Sequence, residues 1–151
     1  MNVLLICTGN SCRSVIAHYL LEHMARERGL PWKIQSCGIA AQSSFPIPAA
    51  VHKALAQRGV RDVRHTPQPL TRELLEWADV ALTMTRMHRD FARDLFPEFR
   101  SKIHLLIEYA SGVESDVEDP IGQPDEAYFR CREVLEKALA ATLEKHAAKK
   151  N

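Results

Sequence analysis

The stretch MNVLLICTGNSCRS, Met1 to Ser14, joins two different patterns within a few residues. Asn2 to Ile6 (NVLLI) is a short apolar run that reads as a buried strand. From Ser14 to about Arg28 apolar residues recur at helical spacing, with Ile16, Leu20 and Met24 flanked by Ala17, Leu21 and Ala25. Between the two lie Cys7, Thr8, Gly9, Asn10, Ser11, Cys12 and Arg13. A strand that passes into a helix through so small a loop sets the rhythm of an α/β domain and gathers reactive groups at the strand's carboxyl end.

The rest of the chain keeps that rhythm. Lys33 to Ile39, Asp79 to Met84 and Lys102 to Ile107 are further strand candidates. Helices are expected at about Ala49 to Gln57, Thr71 to Trp77, Met87 to Leu95 and Pro124 to His146. The last carries Tyr128, Cys131, Leu135, Ala138, Leu139 and Thr142 along one side. Gly29 and Pro31 stop the first helix and Gly59 the second, while Thr71, followed by Glu73 and Glu76, caps the third. Strands alternating with helices argue for a three-layer α/β fold, a parallel sheet covered on both faces. The 151 residues, without repeat or linker, make one domain, 1–151.

Composition narrows the setting. Hydrophobic residues make up 46% and charged residues 26%, with a formal net charge of +1, so neither nucleic acid nor a membrane surface is expected as partner. The apolar run after Met1 is too short for a signal peptide, and no later run approaches a membrane span. Four cysteines do not make a disulfide-dense scaffold, so a reducing, cytoplasmic setting is expected. Lys145, Lys149 and Lys150 are expected at a solvated helix end and a frayed tail.

In an α/β domain, ligands collect beyond the carboxyl ends of the strands. Gly9 and Asn10 tolerate left-handed backbone angles, so the loop can curl with its N–H groups pointing inward. Those amides, the helix N-terminus and the Arg13 guanidinium make a site for a tetrahedral oxyanion such as phosphate. The same field favours the thiolate of Cys7. A thiolate beneath a bound phosphate is the arrangement for transfer through a cysteinyl-phosphate, with Arg13 and the amides stabilising the equatorial oxygens. Ser14 is placed to donate its hydroxyl to the thiolate. No Gly-Lys-Ser/Thr follows the glycine, which excludes a nucleotide P-loop. Cys7 and Cys12 lack two further ligands at paired spacing, since Cys37 and Cys131 stand alone, so no metal and no cofactor are expected.

Cleaving a phosphate ester also takes a proton donor for the leaving group and a base for water, roles one carboxyl group can fill in turn. Asp119, in the Pro- and Gly-containing stretch DVEDPIGQPDE, is the candidate, because Pro120 keeps it extended and the loop follows the fourth strand. Asp116, Glu118 and Asp125 compete with it on spacing alone.

These residues resemble a known family. VLLICTGNSCRS and the DP before the final helix look like the low-molecular-weight protein tyrosine phosphatases, and SCGI, HTPQPLT, ADVALTMTRMH, LFPEF and EYASGVESDVEDPIG have counterparts there. The resemblance implies a four-stranded parallel sheet and a metal-free phosphatase acting on phosphorylated protein, monomeric or weakly dimeric. It implies Cys7 as nucleophile, Arg13 as phosphate clamp, Asp119 as general acid, and Asn10 and Ser14 as residues that shape the loop. His65 resembles a histidine that supports the loop asparagine.

The departures from the family bear on rigidity and substrate. Val15 stands where proline is usual, and His18 where a glutamate is common. Ile121 and Gly122 follow Asp-Pro, as in bacterial members, where eukaryotic members carry an aromatic pair. At Ser11 the tyrosine phosphatases usually carry a bulky aliphatic residue and the protein-arginine phosphatases a threonine. Phosphotyrosine is the expected substrate and phosphoarginine the alternative, since serine leaves room for a guanidinium. A thiol-dependent arsenate reductase shares the loop but needs further cysteines near the third strand, where this chain has Thr83, Met84 and Thr85. A non-catalytic phosphate-binding module would dispense with Cys7 or Asp119. Cys12 is expected as a redox partner that protects Cys7 through a reversible disulfide. Phe45 and Ile47 either line the cleft rim or cover the core.

Overall fold

The computed structural model describes residues 1–149, apart from the Lys149 side chain. β1 (Asn2–Cys7), β2 (Lys33–Gly38), β3 (Val80–Thr83) and β4 (Ile103–Leu105) form one sheet in the order β2–β1–β3–β4. Every pairing is parallel. The helices are α1 (Arg13–Glu27), α2 (Ala49–Ala56), α3 (Arg72–Trp77), α4 (Arg86–Leu95), α5 (Leu106–Ser111) and α6 (Asp125–Lys149).

The uninterrupted apolar run of β1 has a plain cause: both of its faces are covered. Val3, Leu5 and Cys7 join a core with Ile16 and Leu20 of α1, Leu55 of α2 and Leu135 and Leu139 of α6. Leu4 and Ile6 point the other way, to Leu75 of α3, Ala92 of α4 and Ile103 of β4. Each such Leu or Ile contributes about 1.5–3 kcal/mol when fully buried. All six side chains named on the last helix are buried, and Cys37 and Cys131 are core residues. Thr71 caps α3 by accepting the Leu74 N–H. Gly29 and Gly59 end their helices with φ of 67° and 76°, a left-handed geometry that favours glycine.

The chain departs from its sequence pattern after Lys102. The expected strand to Ile107 stops at Leu105, and LIEYAS turns as α5, closed by Gly112 at φ 81°. β4 is an edge strand whose partner β3 ends at Thr83, opposite Leu105. Beyond that point the backbone has no strand to bond, so it satisfies itself helically, and a short apolar run fits either form. A 3-10 helix, Pro97–Lys102, was not legible either. Lys145 is half-buried rather than solvated: its Nζ donates to the Tyr109 carbonyl at 3.1 Å and lies 3.9 Å from the Tyr109 ring centre. The Lys149 side chain and Lys150 lie outside the described residues. No helix among the described residues is long and apolar enough to cross a membrane.

β1 leads by α1 to β2 on one side, and the chain then returns to β3 on the other. The carboxyl ends of β1 and β3 therefore flank the crevice where an α/β sheet binds ligands. β2 closes its outer side. Ile39 and Ala40 donate N–H groups to the carbonyls of Cys7 and Thr8, and Gly38 bonds Gln68 and Leu70 on its far side. A Cβ on Gly38 would lie 2.4 Å from the Thr8 oxygen and 2.9 Å from the Asn10 nitrogen. Gly38→Ala is expected to cost about 1–3 kcal/mol through this overpacking. Urea unfolding measures it together with phosphate affinity, and an unchanged midpoint would refute the close approach.

Candidate active site

The loop between β1 and α1 curls as its composition allows, but through Asn10 alone. Asn10 has φ 55°, whereas Gly9 is not among the residues of positive φ. A Cβ on Gly9 would meet only ordinary contacts, 3.5 Å from Ser11 Oγ and 3.6 Å from the Phe45 ring. Cys7, Asn10, Cys12, Arg13 and Ser14 are buried, while Thr8, Gly9 and Ser11 are half-buried.

The hydrogen bonds around Asn10 settle which way its amide points. Its Oδ1 accepts the Gln68 N–H at 3.1 Å, so Oδ1 also faces His65 Nε2 at 2.9 Å. Its Nδ2 donates to Ser14 Oγ at 2.8 Å. Ser14 Oγ lies 2.8 Å from Cys7 Sγ, and because it already accepts from Asn10, its own proton is free for the sulfur. The Asn10 N–H points at the same sulfur at 3.3 Å. Two donors thus converge on Sγ, an arrangement that suits a thiolate.

Arg13, the first residue of α1, joins this floor to the loop before α6. Its guanidinium donates to the Val117 carbonyl at 3.0 Å and to Asp119 Oδ2 at 3.4 Å. Asp119 Oδ1 accepts the Ile121 N–H at 3.1 Å, which holds the carboxylate at the mouth of the site. The rival acids are directed elsewhere. Asp116 binds the Arg86 backbone and guanidinium, Asp125 binds Lys53, and Glu118 is exposed away from the cleft. The cleft itself has a volume of about 350 Å³. Its floor holds Cys7, Thr8, Ser11 and Arg13, and its walls are Phe45, Pro46 and Pro48 facing Asp119 and Ile121. Phe45 therefore lines the rim, whereas Ile47 packs against the core.

All four cysteines are free. Burial raises Cys12, Cys37 and Cys131 above the usual thiol range, Cys131 to about 12. Among the described residues no cluster of His, Cys, Asp or Glu is placed to hold a metal ion.

Two supports were not legible in the sequence. Gly38 gives the loop its room. His88, fully buried in the first turn of α4, places Nε2 2.7 Å from Thr8 Oγ1. Its position just after the Thr85 cap carries no sign of this, because only folding brings α4 beside the loop.

This geometry and the sequence lead to the same relatives. Residues 2–151 match the family described as low molecular weight phosphotyrosine protein phosphatase, and the chain belongs to that family. A protein-arginine-phosphatase of Bacillus subtilis is 34% identical, covering 92% of each chain. The low molecular weight protein-tyrosine-phosphatase Etp of Escherichia coli is 29% identical over 91% of this chain and 88% of its own. A solved YwlE arginine phosphatase mutant with a phosphorylated active site serine superposes with a TM-score of 0.92 at 32% identity, covering 96% of this chain and 95% of the other.

Two histidines, His88 buried and His18 half-buried, give the fold a pH limit. Burial, with His65 nearby, lowers His18 from 6.5 to about 4. Burial, with the Arg13 charge second, lowers His88 from 6.5 to about 4. As pH falls through 6.5 the unfolded chain takes up protons that the folded protein refuses until about 4. Their contribution is therefore complete above about pH 6.5 and drains away toward pH 4. Urea midpoints are expected to be lower at about pH 5 than at about pH 7.5, and less so in His18→Gln. Equal midpoints at the two pH values would refute it.

Proposed function

We propose that the protein dephosphorylates phosphoproteins through a cysteinyl-phosphate, with Cys7 as nucleophile. The observation that carries this reading is the convergence of Ser14 and Asn10 on Cys7 Sγ, with Arg13 and Asp119 across the same cleft. The phosphoryl group sits over Sγ, its equatorial oxygens held by the Arg13 guanidinium and the amides of Thr8, Gly9, Asn10, Ser11 and Cys12. Sγ attacks phosphorus while Asp119 gives its proton to the departing atom. Asp119 then takes a proton from water, which attacks the phosphocysteine and frees phosphate. Ser14 and His65 act behind the loop, through Asn10 and the sulfur.

Phosphoarginine is the substrate this reading favours. Ser11 puts a small hydroxyl into the cleft that the Asp119 carboxylate also lines, a polar setting for a guanidinium, and the Bacillus subtilis relative at 34% identity is a protein-arginine-phosphatase. Phosphotyrosine remains the second reading, favoured by the apolar Phe45 and Ile121 walls, which suit an aromatic ring. An arsenate reductase would route a disulfide outward through further cysteines. Cys37 and Cys131 are buried in cores on opposite faces of the sheet, which speaks against that route. Four free thiols suit a reducing, cytoplasmic setting. The working unit is a monomer or weak dimer.

Cys7→Ser is expected to abolish turnover of an aryl phosphate while phosphate still binds; full activity would remove Cys7 from its role. Asp119→Ala is expected to slow turnover by about 10²–10⁴-fold, most for poor leaving groups. An unchanged leaving-group dependence would count against it. Ser11→Ile is expected to shift the ratio of phosphoarginine to phosphotyrosine kcat/KM toward phosphotyrosine, and an unmoved ratio would refute Ser11 as the discriminator. Peroxide is expected to oxidise Cys7 to a sulfenic acid, which the Cys12 thiol condenses to a disulfide with loss of water. Recovery by added thiol should then fall in Cys12→Ser; equal recovery would end that role.

A further inference from the structure

The hydrogen bonds behind Cys7 do not stop at His65. His65 Nδ1 lies 2.9 Å from the hydroxyl of Tyr19, on the outer turn of α1. Since the His65 Nε2–H is committed to Asn10 Oδ1, a neutral ring leaves Nδ1 as an acceptor, and Tyr19 O–H is its donor. Tyr19, His65, Asn10, Ser14 and Cys7 therefore form one unbroken line, each donating to the next. The Arg64 carbonyl lies 3.3 Å from the same Tyr19 hydroxyl and competes for its proton. With the ring neutral, turning that proton to Arg64 would leave Nδ1 and the hydroxyl oxygen as two acceptors facing each other, so the shorter bond to His65 holds it.

The surroundings favour the neutral ring. On α1, His18 stacks on Tyr19 with ring centres 4.2 Å apart and stands edge-on to His65 at 5.7 Å. From β2, Ser36 Oγ holds His18 Nδ1 at 2.7 Å. Glu22, the nearest carboxylate on α1, lies 3.7 Å from His18 Nε2 rather than on His65. The cleft outside Tyr19 adds His23 and Arg26 from α1 and Arg61, Asp62 and Arg64 from the loop that carries His65. Burial lowers His65 below its usual value, in keeping with a ring held neutral. His18, where the family commonly has a glutamate, brings no carboxylate here, and the group that meets His65 Nδ1 is the Tyr19 hydroxyl.

We propose that Tyr19 is a positioning residue: its hydroxyl holds His65 in the Nε2–H tautomer that binds Asn10, and thereby keeps the Ser14 hydroxyl on Cys7. The inference rests on the reading of Cys7 as nucleophile. Tyr19→Phe keeps the ring stacked on His18 and removes only the hydroxyl. His65 then loses the donor to Nδ1, its tautomer is no longer enforced, and Asn10 and Ser14 hold the sulfur less well.

The test combines two readouts that need no substrate with steady-state kinetics. In the unaltered protein, nitrogen-15 NMR is expected to show His65 as the Nε2–H tautomer with Nδ1 accepting; an Nδ1–H tautomer would overturn the proposal without any variant. In Tyr19→Phe the His65 signals are expected to move toward a tautomer mixture. The midpoint of the pH dependence of Cys7 alkylation by iodoacetamide should rise by about half a pH unit. For an aryl phosphate, kcat should fall about tenfold with KM little changed. In a His65→Gln background, Tyr19→Phe should cause no further shift of the alkylation midpoint; an equal shift in both backgrounds would mean that Tyr19 does not act through His65. An unmoved midpoint and unmoved His65 signals in the single variant would reduce Tyr19 to packing. Because alkylation and NMR do not depend on turnover, loss of the nucleophile assignment and loss of this relay give different results.

Discussion

Asn10 is the joint on which the site turns. It is wholly buried, its backbone is left-handed, and its side chain bonds three residues from two parts of the chain. The left-handed angle aims its N–H at Cys7, and the amide spans from Gln68 and His65 on one side to Ser14 on the other. Asparagine tolerates that angle better than other side-chain-bearing residues, and burial of its amide is affordable only because every polar atom is used. A residue lacking either property would leave the loop unable to converge on the sulfur.

Around that joint the protein brings its charges in from distant parts of the chain. Arg13 reaches from α1 to Val117 and Asp119, so the guanidinium on the cleft floor also holds the loop that bears Asp119. Thr8 is tied to α4 through His88 and to the segment just after β2 through Ala40. The site is thus suspended between the two layers of helices that flank the sheet. Its precision follows from packed, rigid elements rather than from the loop itself.

Much of this was legible because the pattern and the chemistry coincide locally. The apolar run of β1, the curl of small residues and the stripe on α1 are adjacent in sequence, so the strand, loop and helix can be read together. Asp119 was one acid among four on spacing. The resemblance chose it, and the fold then sent Asp116 to Arg86 and Asp125 to Lys53. The expected strand runs two residues into α5, over Leu106 and Ile107, because a short apolar run suits either form; the end of β3 at Thr83 makes the difference. Gly9 and Asn10 both tolerate a left-handed angle by residue type, yet only Asn10 adopts it.

By itself the sequence determined the α/β class and the small-residue loop after the first strand, with Cys7 and Arg13 in it as the candidate reactive groups. These rest on residue type and on neighbours within a few positions. Only the tertiary structure decided that Gly38 must lack a side chain, that His88 braces Thr8, and that Tyr19 reaches His65. Those relations join residues from about thirty to eighty positions apart, through backbone approach and side-chain direction. No periodicity encodes them, because they exist only once both faces of the sheet are covered and α1, α4 and β2 are pressed against one loop.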